Sequence, residues 1–313
     1  MDLDVLFVGT AGSVPSAHRS LPATLVRRGG ERLLVDCGEG TQRQLTRSIG
    51  LVELEDVFLT HFHADHVLGL PGLVKTFNLR GRERPLTVHG PPGLSRLFRA
   101  FAPLIGRTGF ELRLVELDHG DELERDGYRI AAFDVDHGVR AQGYALIEES
   151  RPGRFDEARA RELGVEPGPD FGRLQRGEAV GEVTPEQVLG PRRAGRKVVI
   201  TGDTAPSQLV AAVAHRADLL VHEATFTAED AERAAETHHS TAGQAGALAA
   251  EAEVVLLALT HLSARYPVRE VREEARAEFE NTVVPDDFDR VELPLPERGE
   301  PAHHREQASD PSS

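Results

Sequence analysis

The chain has 313 residues, 40% of them hydrophobic, enough for one large core or two small ones. Cys37 is the single cysteine, which excludes an internal disulfide, and no apolar run reaches membrane-spanning length; the expectation is a cytoplasmic protein with no membrane partner. The formal charge of −15, from 36 basic and 51 acidic residues, argues against nucleic acid as a partner of the whole surface, but not of one face whose sign bound cations would change.

The start carries two Asp and no basic stretch before its short apolar run, so it does not read as a secretory signal. Short strands separated by Gly and Pro are expected over residues 3–8, 23–26 and 33–35, then a helix over 39–48 stopped at Gly50. Residues 57–60 form a short apolar run, the pattern of a strand buried on both faces. Pro71 and Gly72 predict that the loop after it turns quickly into a helix. Strands continue at 86–88, 112–117, 129–135 and 144–147. From 149 to 197 the core-like runs vanish and Gly, Pro, Arg and Glu dominate. Alternation then resumes with strands at 198–201, 219–221 and 254–259 and helices at 207–215, 241–251 and 268–278. The polar stretch 297–313 is expected to be a disordered tail, which leaves 1–296 as the body, interrupted by 149–197. No internal repeat of fixed short period is visible.

The strongest chemical signal is His61-Phe62-His63-Ala64-Asp65-His66, three imidazoles and a carboxylate directly after the strand at 57–60. Such donors suit Zn²⁺ better than thiolate-loving metals, and the carboxyl end of a buried strand is where open α/β sheets place their sites. The alternative is a polar loop rich in His by chance, which four ligand-type residues at this spacing argue against.

The motif H-x-H-x-D-H resembles that of the metallo-β-lactamase superfamily at every fixed position. The resemblance implies an α/β fold, the αββα metallo-β-lactamase sandwich, here with an inserted flexible arm, and metals at one edge of the two sheets. It points to His137, Asp203 and His261, each just past a predicted strand. By resemblance His61, His63 and His137 hold one metal, Asp65, His66 and His261 hold the other, and Asp203 bridges them, giving two Zn²⁺ per chain. Taken singly, Asp203 reads as a turn or cap and a lone strand-end His as structural; the ordered set makes the case. Asp36 matches the family's aspartate that orients a ligating imidazole through its other nitrogen; its other reading is an N-cap region for the helix at 39–48. Cys37 reads as a small core residue.

Further segments resemble the ribonuclease Z family: His63-Ala64-Asp65-His66-Val67-Leu68-Gly69-Leu70-Pro71-Gly72, His222-Glu223-Ala224-Thr225, His239-Ser240-Thr241 and His261-Leu262-Ser263-Ala264-Arg265-Tyr266. The resemblance implies an endoribonuclease that removes the 3′ trailer from precursor tRNA, leaving a 3′-hydroxyl on the tRNA and a 5′-phosphate on the trailer. It makes Asp65 the general base and His239, supported by Glu223, the group that protonates the leaving oxygen. It places Arg265, Ser240 and Thr241 near the phosphate, although Arg265 also reads as a surface charge and Ser240 and Thr241 as a helix N-cap. Gly164, Pro167, Gly168 and Pro169 resemble the Gly-Pro tip of the family's tRNA-gripping arm, with Glu166 where a second Pro is usual; a loop insertion is the alternative. An early loop resembles P-x-K-x-R-N at Pro15 and Arg19 but departs at Ala17 and Ser20, which puts the family's rules for cleavage position and CCA discrimination in doubt. The resemblance also implies a homodimer. Two rival readings remain: a small-molecule phosphodiesterase of the same fold, and a silent RNA-binding scaffold, which would have lost ligands.

Overall fold

The structure, a computed structural model, describes residues 1–51 and 54–305. In β1 (Leu3–Gly9), successive side chains point to opposite faces and nearly all are buried. Val5 and Phe7 enter one hydrophobic cluster, whereas Leu6 and Val8 enter another. A strand buried on both faces must lie in a sheet covered on both sides. β2 (Ala23–Arg28), β3 (Glu31–Val35), β4 (Asp56–Phe58), β5 (Leu86–Gly90) and β6 (Leu112–Glu116) extend the same sheet.

The second sheet holds β7 (Glu122–Arg125), β8 (Tyr128–Asp134), β9 (Gln142–Glu148), β10 (Lys197–Ile200), β11 (Leu219–Glu223), β12 (Leu256–Thr260) and β13 (Thr282–Val283). The chain then returns to the first with β14 (Arg290–Glu292) and β15 (Ala302–His304). The orders are β15-β14-β1-β2-β3-β4-β5-β6 and β13-β12-β11-β10-β9-β8-β7. Phe7, Phe58, Tyr144, Ile200 and Val221 belong to the layer between the sheets. On the outer face of the first sheet lie α1 (Thr41–Ser48), α2 (Ala64–Val67), α3 (Gly69–Leu79) and α4 (Leu94–Ile105). After α5 (Glu157–Glu162) and α6 (Pro169–Gln175) in the insertion come α7 (Gln208–Ala214), α8 (Ala231–Glu236), α9 (Ala242–Glu251) and α10 (Val268–Glu278). Helices α7, α9 and α10 cover the second sheet. The result is the expected αββα sandwich.

Strands β3, β4, β5 and β6 are mutually parallel, as are β10, β11, β12 and β13, so each sheet delivers several carboxyl ends to one rim. Pro71 sits inside the first turn of α3, where no amide hydrogen is needed, so the helix begins before it and not after it.

The insertion differs from its reading as a stretch without core. Ala160, Val165, Phe171, Leu174, Val183 and Val188 form a small hydrophobic cluster of their own, with α5 and α6 around it. Its two legs pair at Arg151↔Arg193 and Phe155↔Leu189. At its root Arg196, almost fully buried, donates to both oxygens of Glu148 and to the carbonyls of Leu293 and Met1.

The tail expected to be disordered from 297 is ordered over its first part. Backbone pairing of β15 with β14 needs no apolar side chains, so polar composition does not reveal it. His303 hydrogen-bonds Asp289, and Glu297 pairs with Arg151 and Arg193. The rest of the expected tail, 306–313, lies outside the described residues.

Gly69 packs the metal-motif segment against the loop after β3: its amide donates to the Cys37 carbonyl at 2.9 Å, and a β-carbon there would lie 1.9 Å from the Gly38 oxygen. Gly69→Ala is therefore expected to destabilise the fold by about 3 kcal/mol, read as a lower urea midpoint at unchanged slope.

Candidate metal centre

His61 and His63 leave the end of β4, Asp65 and His66 lie in α2, His137 follows β8, Asp203 follows β10 and His261 follows β12. The structure brings these seven together. The ligand atoms of His61, His63 and His137 all lie within 4.8 Å of one another, and so do those of Asp65, His66 and His261. Asp203 stands between the two groups: its Oδ2 is 3.2 Å from His261 Nε2, 3.4 Å from His66 Nε2, 3.7 Å from His137 Nε2 and 3.9 Å from His61 Nε2.

The donor set fits divalent cations. The buried His61 Nε2, His66 Nε2 and Asp203 Oδ1 have no hydrogen-bond partner among the described residues, an arrangement that costs free energy unless something else satisfies them. Burial alone would raise the Asp203 pKa, but the charges of His261 and His66 beside it outweigh burial, so the carboxyl falls well below its usual range. Burial likewise opposes ionisation of Asp65, and the His261 hydrogen bond with the charges of His66 and His261 overcomes it. Cys37 is fully buried, which pushes its thiol up to about 12, so it is no thiolate donor.

Outer hydrogen bonds fix the rings. Asp36 Oδ2 accepts from His66 Nδ1 at 2.8 Å, and Oδ1 accepts the Thr60 amide at 2.8 Å. The Thr60 hydroxyl bonds both Asp36 oxygens and lies 3.0 Å from His61 Nδ1. On the other side, Glu223 accepts from His239 Nδ1 at 2.7 Å and from the Thr225 hydroxyl at 2.5 Å; that hydroxyl is 2.8 Å from His261 Nδ1. The His238 carbonyl holds His137 Nδ1 at 3.0 Å. His66, His61, His261 and His137 are thus anchored through Nδ1, which leaves Nε2 for the centre. Burial would lower the His239 pKa, but the Glu223 hydrogen bond and charge reverse the sign and the net shift is upward.

Thr60, Gly12 and Ser13 are contributions that the sequence reading does not single out, and Thr225 enters it only as part of a longer segment. Gly12 lies so close to the centre that a β-carbon would be 2.5 Å from His261 Nδ1, and the Ser13 amide donates to Asp65 Oδ2 at 2.9 Å. Small residues directly after a strand, in Thr10-Ala11-Gly12-Ser13, are the available sequence signal.

Against this geometry, the profile of the metallo-β-lactamase superfamily matches residues 20–236. The chain is 45% identical over 310 residues to the ribonuclease Z of Halorubrum lacusprofundi, covering 96% of this chain and 100% of that one. It belongs to the ribonuclease Z family. A second family member, from Gemmatimonas aurantiaca, is 47% identical over 307 residues, covering 95% of this chain and 98% of its own. The crystal structure of human tRNase Z, short form, superposes with a TM-score of 0.68 at 25% identity, covering 94% of this chain and 99% of that one.

Ser240 and Thr241, expected near the phosphate, and Arg19, the match in the early loop, are turned inward. Arg19 donates to the Thr10 hydroxyl at 2.5 Å and the Pro285 carbonyl at 2.7 Å, and pairs with Asp286. Its donors brace the early loop, because Asp286 and Pro285 come from a distant segment invisible to local reading. The Ser240 hydroxyl is buried and donates to the Thr204 carbonyl at 2.6 Å, and the Thr241 hydroxyl caps α9 by accepting the Gln244 amide at 3.2 Å. The Ser240 bond ties the loop before α9 to the loop after β10, and the Thr241 cap is the N-cap that the sequence offers. Arg265 stays exposed on a cleft beside the centre, which His239 also lines. Gly164, Pro167, Gly168 and Pro169 are exposed on the insertion and not part of the centre.

Asp36→Asn is expected to leave the chain folded yet weaken metal binding about 10–100-fold, measured by competition with a chromophoric chelator.

Proposed function

We propose that the chain is a zinc-dependent endoribonuclease that removes the 3′ trailer from precursor tRNA, with two Zn²⁺ held by His61, His63 and His137, by Asp65, His66 and His261, and by Asp203 between them. The observation that carries this reading is the seven-donor cluster in a chain of the ribonuclease Z family, with all donors in place. A silent scaffold of the same fold would not retain them. A small-molecule phosphodiesterase is not favoured, since the near relatives are ribonuclease Z along almost the whole chain.

When bound, the two cations supply a nucleophile at neutral pH and neutralise charge that builds on the phosphate. The chain's own groups do the rest. Asp65, aimed by the Ser13 amide, takes the proton from the attacking water. His239 gives a proton to the leaving 3′ oxygen: Glu223 fixes its Nδ1, and the ring borders the cleft. Proton transfer by such positioned groups contributes about 10²–10⁴-fold each. The products are a tRNA with a 3′-hydroxyl and a trailer with a 5′-phosphate.

The folded insertion at 149–197 serves as the tRNA grip, with Gly164, Pro167, Gly168 and Pro169 exposed on it. Net charge −15 makes a separate grip necessary, because the body as a whole repels the substrate. A homodimer is part of this reading; exposed Leu68, Leu79 and Leu104, around α2–α4, supply apolar surface to a second copy. A single cysteine fits a cytoplasmic enzyme.

Incubation with a trailer-bearing precursor tRNA, with mapping of the cut and its end groups, tests the reading; no cleavage by the metal-loaded protein defeats it. Elemental analysis is expected to give close to two equivalents of zinc per chain, and a metal-free active enzyme contradicts that. Asp65→Ala should lower kcat at least about 10²-fold without unfolding the protein. Removal of 152–192, which keeps Arg196 and β10, should abolish precursor cleavage at physiological salt, with partial recovery at low salt, while a small chromogenic phosphodiester is still hydrolysed. Equal loss of both activities in a folded, zinc-loaded deletion protein would assign the insertion to the active site itself.

A further inference from the structure

The cleft beside the centre has a volume of about 530 Å³ and borders His239. One of its walls is α8, which contributes Arg233, and Arg265 lines the same cleft. Arg233 is exposed, and its guanidinium makes no hydrogen bond or ion pair among the described residues. Most arginines of this chain are committed: Arg19, Arg28, Arg125 and Arg196, for example, each hold a carboxylate. None of the residues lining the cleft is acidic, in a chain with 51 acidic and 36 basic residues. Asp230, one helical turn before Arg233, is bonded instead by the Tyr266 hydroxyl. Val14, on the early loop, is 68% exposed at the same cleft and offers an apolar face to a base.

An acid-free cleft with two guanidinium groups beside a phosphodiester-cleaving centre is built for an anionic strand. We infer that Arg233 is a substrate-binding residue that holds a backbone phosphate of the acceptor strand, on the 5′ side of the cut. The side follows from His239, which shares the cleft and faces the leaving 3′ oxygen; that oxygen belongs to the tRNA and not to the trailer. The inference therefore rests on the functional reading above. A phosphate contact positions the strand without reading its sequence, so Arg233 acts on binding and not on which base is accepted.

The test uses the full-length, zinc-loaded protein and its Arg233→Ala, Arg233→Gln and Arg233→Lys variants. Each is assayed on one precursor tRNA with a long trailer and on the same tRNA with a single-nucleotide trailer, across about 50–200 mM salt. Arg233→Ala and Arg233→Gln are expected to raise KM about tenfold, with kcat changed much less. The slope of log(kcat/KM) against log salt should become shallower by about one, the loss of one phosphate contact. Arg233→Lys should recover most of the KM, and the defect should be equal on both substrates. Unchanged KM and salt slope in zinc-loaded variants overturn the inference, as does a loss confined to kcat. A defect that disappears on the single-nucleotide trailer overturns the 5′ placement. If the wild-type protein cleaves neither precursor, the functional reading itself falls; if it cleaves both and the variants match it, only the role of Arg233 falls.

Discussion

Two buried carboxylates, Asp36 and Glu223, each hold two imidazoles, one directly and one through a threonine hydroxyl. Asp36 takes His66 directly and His61 through Thr60; Glu223 takes His239 directly and His261 through Thr225. The rings they fix are crowded, with His61 and His66 centroids 4.1 Å apart. Each ring is held with Nδ1 turned outward to its anchor, which leaves Nε2 of His61, His66 and His261 for the centre. Both carboxylates sit where parallel strands end, Asp36 after β3 beside β4 and Glu223 on β11 beside β12. The sandwich is the device that brings these two strand pairs, one from each sheet, to the same rim.

The early loop ties the two ends of the chain to that rim. Asp287 accepts from the Thr10 amide and hydroxyl and from the Ser20 amide, while Arg19 reaches Pro285 and Asp286. The loop so held presents the Ser13 amide to Asp65, with Ser13 in the left-handed region at φ 59°. Residues near 285–289 thus shape the centre without touching it.

How much of this was legible in the sequence depended on whether the signal was local. His61 to His66 announce their chemistry in six consecutive residues, and the strand just before them sets their place. Asp203 and His261 became readable only as members of an ordered set. Helix α4 has apolar residues at 94, 98, 101 and 105, a helical spacing, but Pro103 inside it argues against a helix there. The core of the insertion comes from six scattered residues among Arg and Glu, too sparse for any periodicity to stand out. Arg19 and Ser240 show the remaining limit. Residue type gives the donors a side chain can offer, but its direction is set by partners far away in the chain, such as Pro285 and Thr204.

The insertion leaves the body between β9 and β10, which are antiparallel neighbours with Ile147 opposite Lys197. Its two ends are therefore already side by side, and the sheet has met the loop-closure entropy before the insertion folds. Lengthening or shortening such an excursion adds little to that term, since closure entropy grows only with the logarithm of loop length. β10 starts at the root of the insertion, next to the buried Arg196, and ends at Ile200, three residues before Asp203. One four-residue strand and the short turn after it therefore separate the insertion from the carboxylate between the two donor groups.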